Sequence, residues 1–286
     1  MGNIASRIVL VAPLRSSLGL SGSHDGLAVA DIRHPDAVET MLAGFAHGGD
    51  TPIVTCSVDD VEHVRTLLTY TSIRMPGFRA ALEPLPGSPL AVGVVSSLAD
   101  DLTDPDGDTL AWQVSALDYL RARIWSAVWL PSVSGLTTPS PSVFQHLRSW
   151  LPGSGFLAVH GNGTSRGGTV LTARHAPITG LEPRPDVALL HSTLQHPTWV
   201  VSAVATALES LSVSDVSTVR EQIDTYGTTE AVELLGVPAS FHVDTKPDPH
   251  SVITCNACGT RHARTTCPLC GMASPTASLV HQGEHS

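Results

Sequence analysis

Four cysteines near the C-terminus stand as two pairs, Cys255-x-x-Cys258 and Cys267-x-x-Cys270, with eight residues between the pairs. A Cys-x-x-Cys turn lets two thiolates reach one ion, and two such turns supply a tetrahedral sulfur site. Gly259 and Gly271 each directly follow the second cysteine of a pair. Glycine there permits the turn that points backbone N–H groups at the sulfurs. Paired cysteines in a chain with no recognisable secretion signal are expected to be metal ligands, not disulfides. With cysteine at every ligand position there is none left for water, so the expected cofactor is one structural Zn²⁺ per chain. Iron or free thiols are the alternatives. The loop between the pairs carries Arg261, His262 and Arg264 with no acid. It is a candidate contact surface for a protein or a nucleic acid, against the plainer expectation of a solvated loop.

On all its ligand positions this segment resembles the zinc-ribbon and rubredoxin-like family. The resemblance implies a small metal-folded module over 251–273, because so short a segment has no core and the ion supplies its folding free energy.

Other catalytic patterns are incomplete. Gly161–Gly168 (GNGTSRGG) follows a strand-like run, as a phosphate loop must, but leads into another strand and not a helix. A hairpin turn fits better. Asp104, Asp106 and Asp108 alternate like a calcium loop, but the glycine is misplaced and no closing Glu follows. Ser23, His24 and Asp25 have the residue types of a hydrolase triad but are sequence neighbours, and a triad is assembled from distant segments. His191 and His196 share neither a helix face nor a strand face. Cys56, alone in the apolar run Pro52–Val58, is expected to be a buried hydrophobe.

The elements that would position such residues alternate. Strands are expected at Arg7–Pro13, Gly26–Ile32, Pro52–Val58, Phe78–Leu82, Leu90–Val95, Ile124–Leu130, Gly155–His160, Thr169–Ala173 and Asp186–Leu190. Helices are expected over Pro35–Ala46, from Val61, from Leu110, over Pro141–Leu151, Trp199–Leu211 and Val213–Tyr226. This predicts an α/β domain with a mainly parallel sheet and flanking helices, RecA-like or Rossmann-like, plus the ribbon. The layout over 7–211 resembles RecA/KaiC-like ATPase domains. Where that family has a Gly-rich loop with Lys, this chain has Arg33-His34-Pro35-Asp36, and Pro131 stands at the magnesium Asp. The resemblance implies a degenerate ATPase without its nucleotide machinery. A helix-turn-helix over Val219–Tyr226 and Thr228–Gly236 has the right rhythm, but Pro238–Lys246 reads as extended where the recognition helix belongs.

The chain has 286 residues, 42% hydrophobic and 15% charged, with net charge −10. That suffices for a buried core and argues against a broad nucleic-acid platform. No apolar run is long enough to span a membrane, and Gly2 with Ser6 fits a myristoylation pattern only on paper. The expected organisation is an α/β domain at 1–242, a linker at 243–250, the ribbon at 251–273 and a flexible tail at 274–286, the ribbon an independent module. The expected function is a cytoplasmic, non-enzymatic regulatory or adaptor protein that presents its zinc ribbon to a protein partner. The alternatives are a nucleotide-binding protein or enzyme around Gly161–Gly168 with Arg166 and His160, and a DNA-associated regulator using Arg261 and Arg264.

Overall fold

The computed structural model describes residues 8–12, 27–32, 34–48, 51–102, 109–134, 136, 139–160, 168–193, 198–216, 226–228, 230–241 and 246–273. Short β-rich runs alternate with helices in its first half. β1 (Ile8–Ala12), β2 (Ala28–Asp31), β3 (Ile53–Ser57) and β4 (Ala81–Leu85) form a parallel sheet in the order β2-β1-β3-β4. Side chains alternate across it, as the strand period requires. Val9, Val54 and Cys56 face one way and pack on Val38, Leu42 and Phe45 of α1 (Pro35–Gly48) and Val64 of α2 (Val61–Arg74). Ile8, Leu10 and Ile53 face the other way, onto α3 (Pro89–Asp100) and α4 (Thr109–Arg123). Cys56 is the buried hydrophobe expected, and burial pushes its thiol up to about 12.

α3 corrects the expected strand at Leu90–Val95. The run is apolar on every side because the helix is buried on nearly every side. Periodicity cannot tell such a helix from a strand. The decisive local signal is Ser88-Pro89. The Ser88 side chain accepts from the Ala91 N–H and Pro89 occupies the first turn. β4 accordingly lies later than the expected strand at Phe78–Leu82.

A buried hydroxyl pair pins α3 to β3, with Thr55 Oγ1 and Ser96 Oγ 2.7 Å apart and Ser96 donating to the Val92 carbonyl. Thr55→Val is expected to cost about 0.5–1.5 kcal/mol because it removes a buried hydrogen bond. Ser96→Ala added to it should cost less than Ser96→Ala alone. A urea-unfolding double-mutant cycle reads this, and strict additivity would refute it.

The second sheet is not an extension of the first. β5 (Trp125–Leu130), β6 (Phe156–His160), β7 (Thr169–Thr172), β8 (Val187–Thr193), β9 (Ser212–Asp215) and β10 (Val232–Pro238) take the order β7-β6-β5-β10-β8-β9. All its pairs are antiparallel except β8 with β9. The mainly parallel single sheet is therefore corrected to two sheets. β5 and β10 are buried along their whole lengths, as central strands must be. One face packs on α6 (Thr198–Leu208), and the other meets α3 and α4 through Leu235 and Val237. β9 replaces the start of the helix expected at Val213–Tyr226. β10 replaces the helix expected at Thr228–Gly236, which removes the helix-turn-helix. α5 (Val143–Ser149) is closed by a Ser142–Gln145 capping box and leaves Val143, Phe144 and Leu147 exposed, with Trp150 beside them. Among the described residues, no helix is long and apolar enough to cross a membrane.

Candidate functional site

The parallel strands β3 and β4 end at Ser57 and Leu85, and the Val58 N–H donates to the Leu85 carbonyl to hold the two ends together. Ligands of open α/β sheets sit beyond such strand ends. The chain then turns at Gly87 into the N-terminus of α3, where the positive end of the helix dipole favours an anion. The second sheet closes over this point. A Cβ on Gly87 would meet the Ser126 Oγ at 2.9 Å, and Gly87 has φ +112, so only glycine allows the approach.

Ser126 is the one hydroxyl in the apolar strand β5. It lies directly across from His160 of β6, which places both side chains on the face that meets α3. Among the described residues, the Ser126 Oγ and the His160 Nε2 are both buried without a hydrogen-bond partner. Unpaired buried polar atoms are rare and costly, and two on neighbouring residues at a helix N-terminus mark a place built for a polar group. Burial lowers the His160 pKa, opposed in part by the charge of Asp59. The imidazole is thus neutral and able to donate one hydrogen bond. From this pair the same face runs on along Val128, Leu130, Ala158 and Phe156, all buried and apolar.

A second cluster lies in the ribbon. The sulfurs of Cys255, Cys258, Cys267 and Cys270 lie within 4.8 Å of one another, with Cys255–Cys270 and Cys258–Cys267 each at 3.6 Å. A tetrahedral ion with Zn–S near 2.3 Å separates its sulfurs by about 3.8 Å, so the arrangement fits. A disulfide, with sulfurs about 2.05 Å apart, does not. Gly259 and Gly271 have φ of +75 and +70, and their N–H groups donate to the Cys255 and Cys267 carbonyls. Backbone N–H groups of Cys258 and Ala257 lower the Cys255 thiol, and the Thr260 hydroxyl brings Cys258 down to about 6. Burial pushes Cys267 up to about 12. Four adjacent thiolates need a cation between them.

The other residues singled out from the sequence are dispersed. Arg261 is exposed at the start of β12 (Arg261–His262), which pairs with β11 (Ile253–Thr254). His262 is buried, and its Nδ1 accepts from the Arg264 N–H. Arg264 turns away from solvent onto Glu83 and Asp118. Two of the three side chains expected to form a contact surface, His262 and Arg264, are thus engaged by the chain itself. His191 has its Nδ1 3.5 Å from Asp215 Oδ1. Residues 161–167 with Arg166, Asp104–Asp108, Ser23–Asp25, Arg33 and His196 lie outside the described residues. Gly168 is described at the entry to β7. Of the earlier candidates only His160 belongs to the cradle. Ser88 and Ser126 were missed, although a single hydroxyl in IWSAVWL was the available signal.

No protein-family profile matches the chain, and neither does any curated protein. Solved structures do match. A DegV family protein from Corynebacterium glutamicum superposes with TM-score 0.52 at 12% identity, over 86% of this chain and 100% of its own. The fold is that of the DegV proteins. A fatty-acid-binding DegV family protein from Thermus thermophilus gives 0.54 at 11%, over 81% and 99%. The fatty acid kinase B3 protein of Streptococcus pneumoniae, loaded with linoleic acid, gives 0.52 at 10%, over 82% and 99%. At such identities the likeness is one of fold. It overturns the RecA-like and degenerate-ATPase expectation, since β5 is not the magnesium-bearing strand of a parallel sheet but the middle of an antiparallel one. It also overturns the regulatory or adaptor function, with its nucleotide-binding and DNA-binding alternatives, because the structures that share this fold include fatty-acid-binding proteins.

Proposed function

We propose that the chain binds one long-chain fatty acid, with the carboxylate at the N-terminus of α3 and the acyl chain along the apolar face of the second sheet. The carrying observation is the buried pair Ser126 Oγ and His160 Nε2, cross-strand neighbours without a hydrogen-bond partner among the described residues, with Ser126 against the Gly87 turn that leads into that helix. A carboxylate accepts hydrogen bonds from a hydroxyl and a neutral imidazole N–H at once, and the positive end of the α3 dipole favours its charge. Val128, Leu130, Ala158 and Phe156 continue that face as dry apolar material, where an alkyl chain would replace packing now supplied by the chain itself, such as Leu136 and Tyr226 on Val128 and Leu130. Fatty-acid binding by several proteins of the same fold supports the assignment. Residues 119–181 contain no Asp or Glu, and within them α5 exposes Val143, Phe144 and Leu147. That combination suits exchange of the lipid at an anionic lipid surface. The four cysteines, in this reading, hold one structural zinc ion, which supplies fixed geometry to the ribbon and no chemistry to the lipid site.

Native mass spectrometry of the delipidated chain with palmitic, stearic and oleic acid tests the lipid assignment. The expected result is one acid per chain, displaced by the Ser126→Val and His160→Leu double substitution in a protein that still melts cooperatively. A wild-type chain that takes up none of the three sinks the proposal.

A further inference from the structure

Between the ribbon and the first sheet lies an ion-pair box that spans the chain. Glu83 of β4 is 3% exposed, a depth at which an unpaired carboxylate is not tolerated. Arg121 of α4 donates to Glu83 Oε2 at 2.9 Å and to Asp118 Oδ1 at 3.3 Å. Arg264, from the ribbon, donates to both as well. Its Nε reaches Asp118 Oδ2 at 2.6 Å, one terminal nitrogen reaches Glu83 Oε1, and the other reaches Glu83 Oε2 at 3.1 Å and Asp118 Oδ1 at 2.6 Å. Two cations and two anions close a neutral box. Burial disfavours the Arg264 charge, but the bonds to Asp118 and Glu83 outweigh it and hold the guanidinium above its ordinary pKa.

The ribbon also meets the main body through Leu269, which packs on the core, and Lys246 of the preceding linker lies 5.5 Å from the ring centre of Trp112 on α4. A cleft of about 560 Å³ runs along the seam between Pro268, Leu269 and Gly271 on one side and Leu68, Phe78 and Leu82 on the other. Arg264 lies three residues before Cys267, and its backbone N–H bonds to His262. Its position follows from the path the knuckles impose.

We propose that the four-cysteine metal site is a remote determinant of the main body: the ion fixes the ribbon, the ribbon delivers Arg264, and Arg264 completes the charge box around buried Glu83. This rests on the zinc assignment above. Arg264 is a positioning residue. β4 runs from Glu83 to Leu85 and on to the Gly87–Ser88 turn, so the box braces the strand that leads to the candidate carboxylate site.

The test uses the full chain in four forms: wild type, Arg264→Ala, the double variant Cys255→Ser/Cys258→Ser, and all three substitutions together. Bound zinc and the thermal midpoint are measured separately. Arg264→Ala should keep its zinc and lower the midpoint by roughly 6–12 °C, the range for removing one partner from a buried ion pair in a protein of this size. The cysteine variant should lose its zinc and fall by a similar amount. The combined variant should fall no further than the larger single effect. Should the cysteine variants aggregate, wild type stripped with a chelator takes their place. The proposal is overturned if the zinc-free form keeps the wild-type midpoint, as the independent-module expectation requires, if Arg264→Ala is silent, or if the effects add. Wild type purified without zinc overturns the metal assignment instead, whatever Arg264→Ala does.

Discussion

Gly155→Ala is expected to destabilise the protein by about 3–4 kcal/mol, a large effect for the addition of one methyl group. Gly155 stands just before β6, where its carbonyl accepts from the Ala173 N–H at 2.8 Å. A Cβ there would lie 2.3 Å from the Ala173 carbonyl oxygen and 3.0 Å from the Trp129 ring. Neither neighbour can move cheaply. The Ala173 oxygen is backbone, and it accepts the Trp129 Nε1–H at 2.8 Å. Trp129 is also held edge-on by Trp199, with ring centres 6.2 Å apart. Relieving the clash breaks the indole hydrogen bond and leaves a buried donor unpaired. Urea unfolding of Gly155→Ala should show a clearly lower midpoint with an unchanged slope. A wild-type midpoint would mean that the start of β6 yields more freely than its packing implies.

The second large effect concerns His160. Removing its hydrogen bond to a bound carboxylate, as in His160→Leu, is expected to weaken fatty-acid binding by about 1.5–3 kcal/mol, or roughly ten- to a hundredfold. The pH dependence gives a sharper signature. In the free protein burial lowers the His160 pKa below its ordinary 6.5. A bound carboxylate favours the imidazolium and raises that pKa, so binding draws in a proton. Affinity should therefore rise as pH falls from about 8 toward 6, by at most about tenfold per pH unit. The stability of the unliganded protein runs the other way. With a depressed folded pKa, the contribution of His160 is fully present above about 6.5 and is lost as pH falls through the folded value. Calorimetric titration in two buffers of different ionisation enthalpy measures the proton directly. Zero uptake in wild type, or the same uptake in His160→Gln, would remove His160 from the site.

How much of this the sequence displayed depended on whether the deciding interaction was local. The cysteine spacing carries its own geometry, so Cys255 to Cys270 were legible as a metal-binding cluster. Strands such as IWSAVWL and the FLAVH–TVLT hairpin were legible as elements for the same reason. Their partners were not, because pairing is a matter of register between distant segments. β10 lies between β5 and β8 although about a hundred residues separate it from β5 in the chain. Leu90–Val95 was misread because burial on all sides erases the helical period. The proposed carboxylate site was least visible. Gly87, Ser126 and His160 lie on three segments with no common motif, and only the closing of one sheet on the other brings them together. Arg264 illustrates the same limit. Its type suggested a partner, and its partner proved to be its own chain.

The ion-pair box also has a history in time. Arg264 follows Glu83 by 181 positions. A ribosome adding about 5–20 residues per second finishes the first sheet roughly 10 to 35 s before it makes that arginine. During this interval Glu83 has only Arg121, on the nascent α4, to offset its charge. The first half of the chain is thus released into solution with its buried acid half-neutralised. On the proposed metal assignment, its final consolidation waits for the ribbon segment to emerge and capture an ion, so a truncated product, or one made where the ion is scarce, would be an obvious substrate for the proteases that remove incomplete chains.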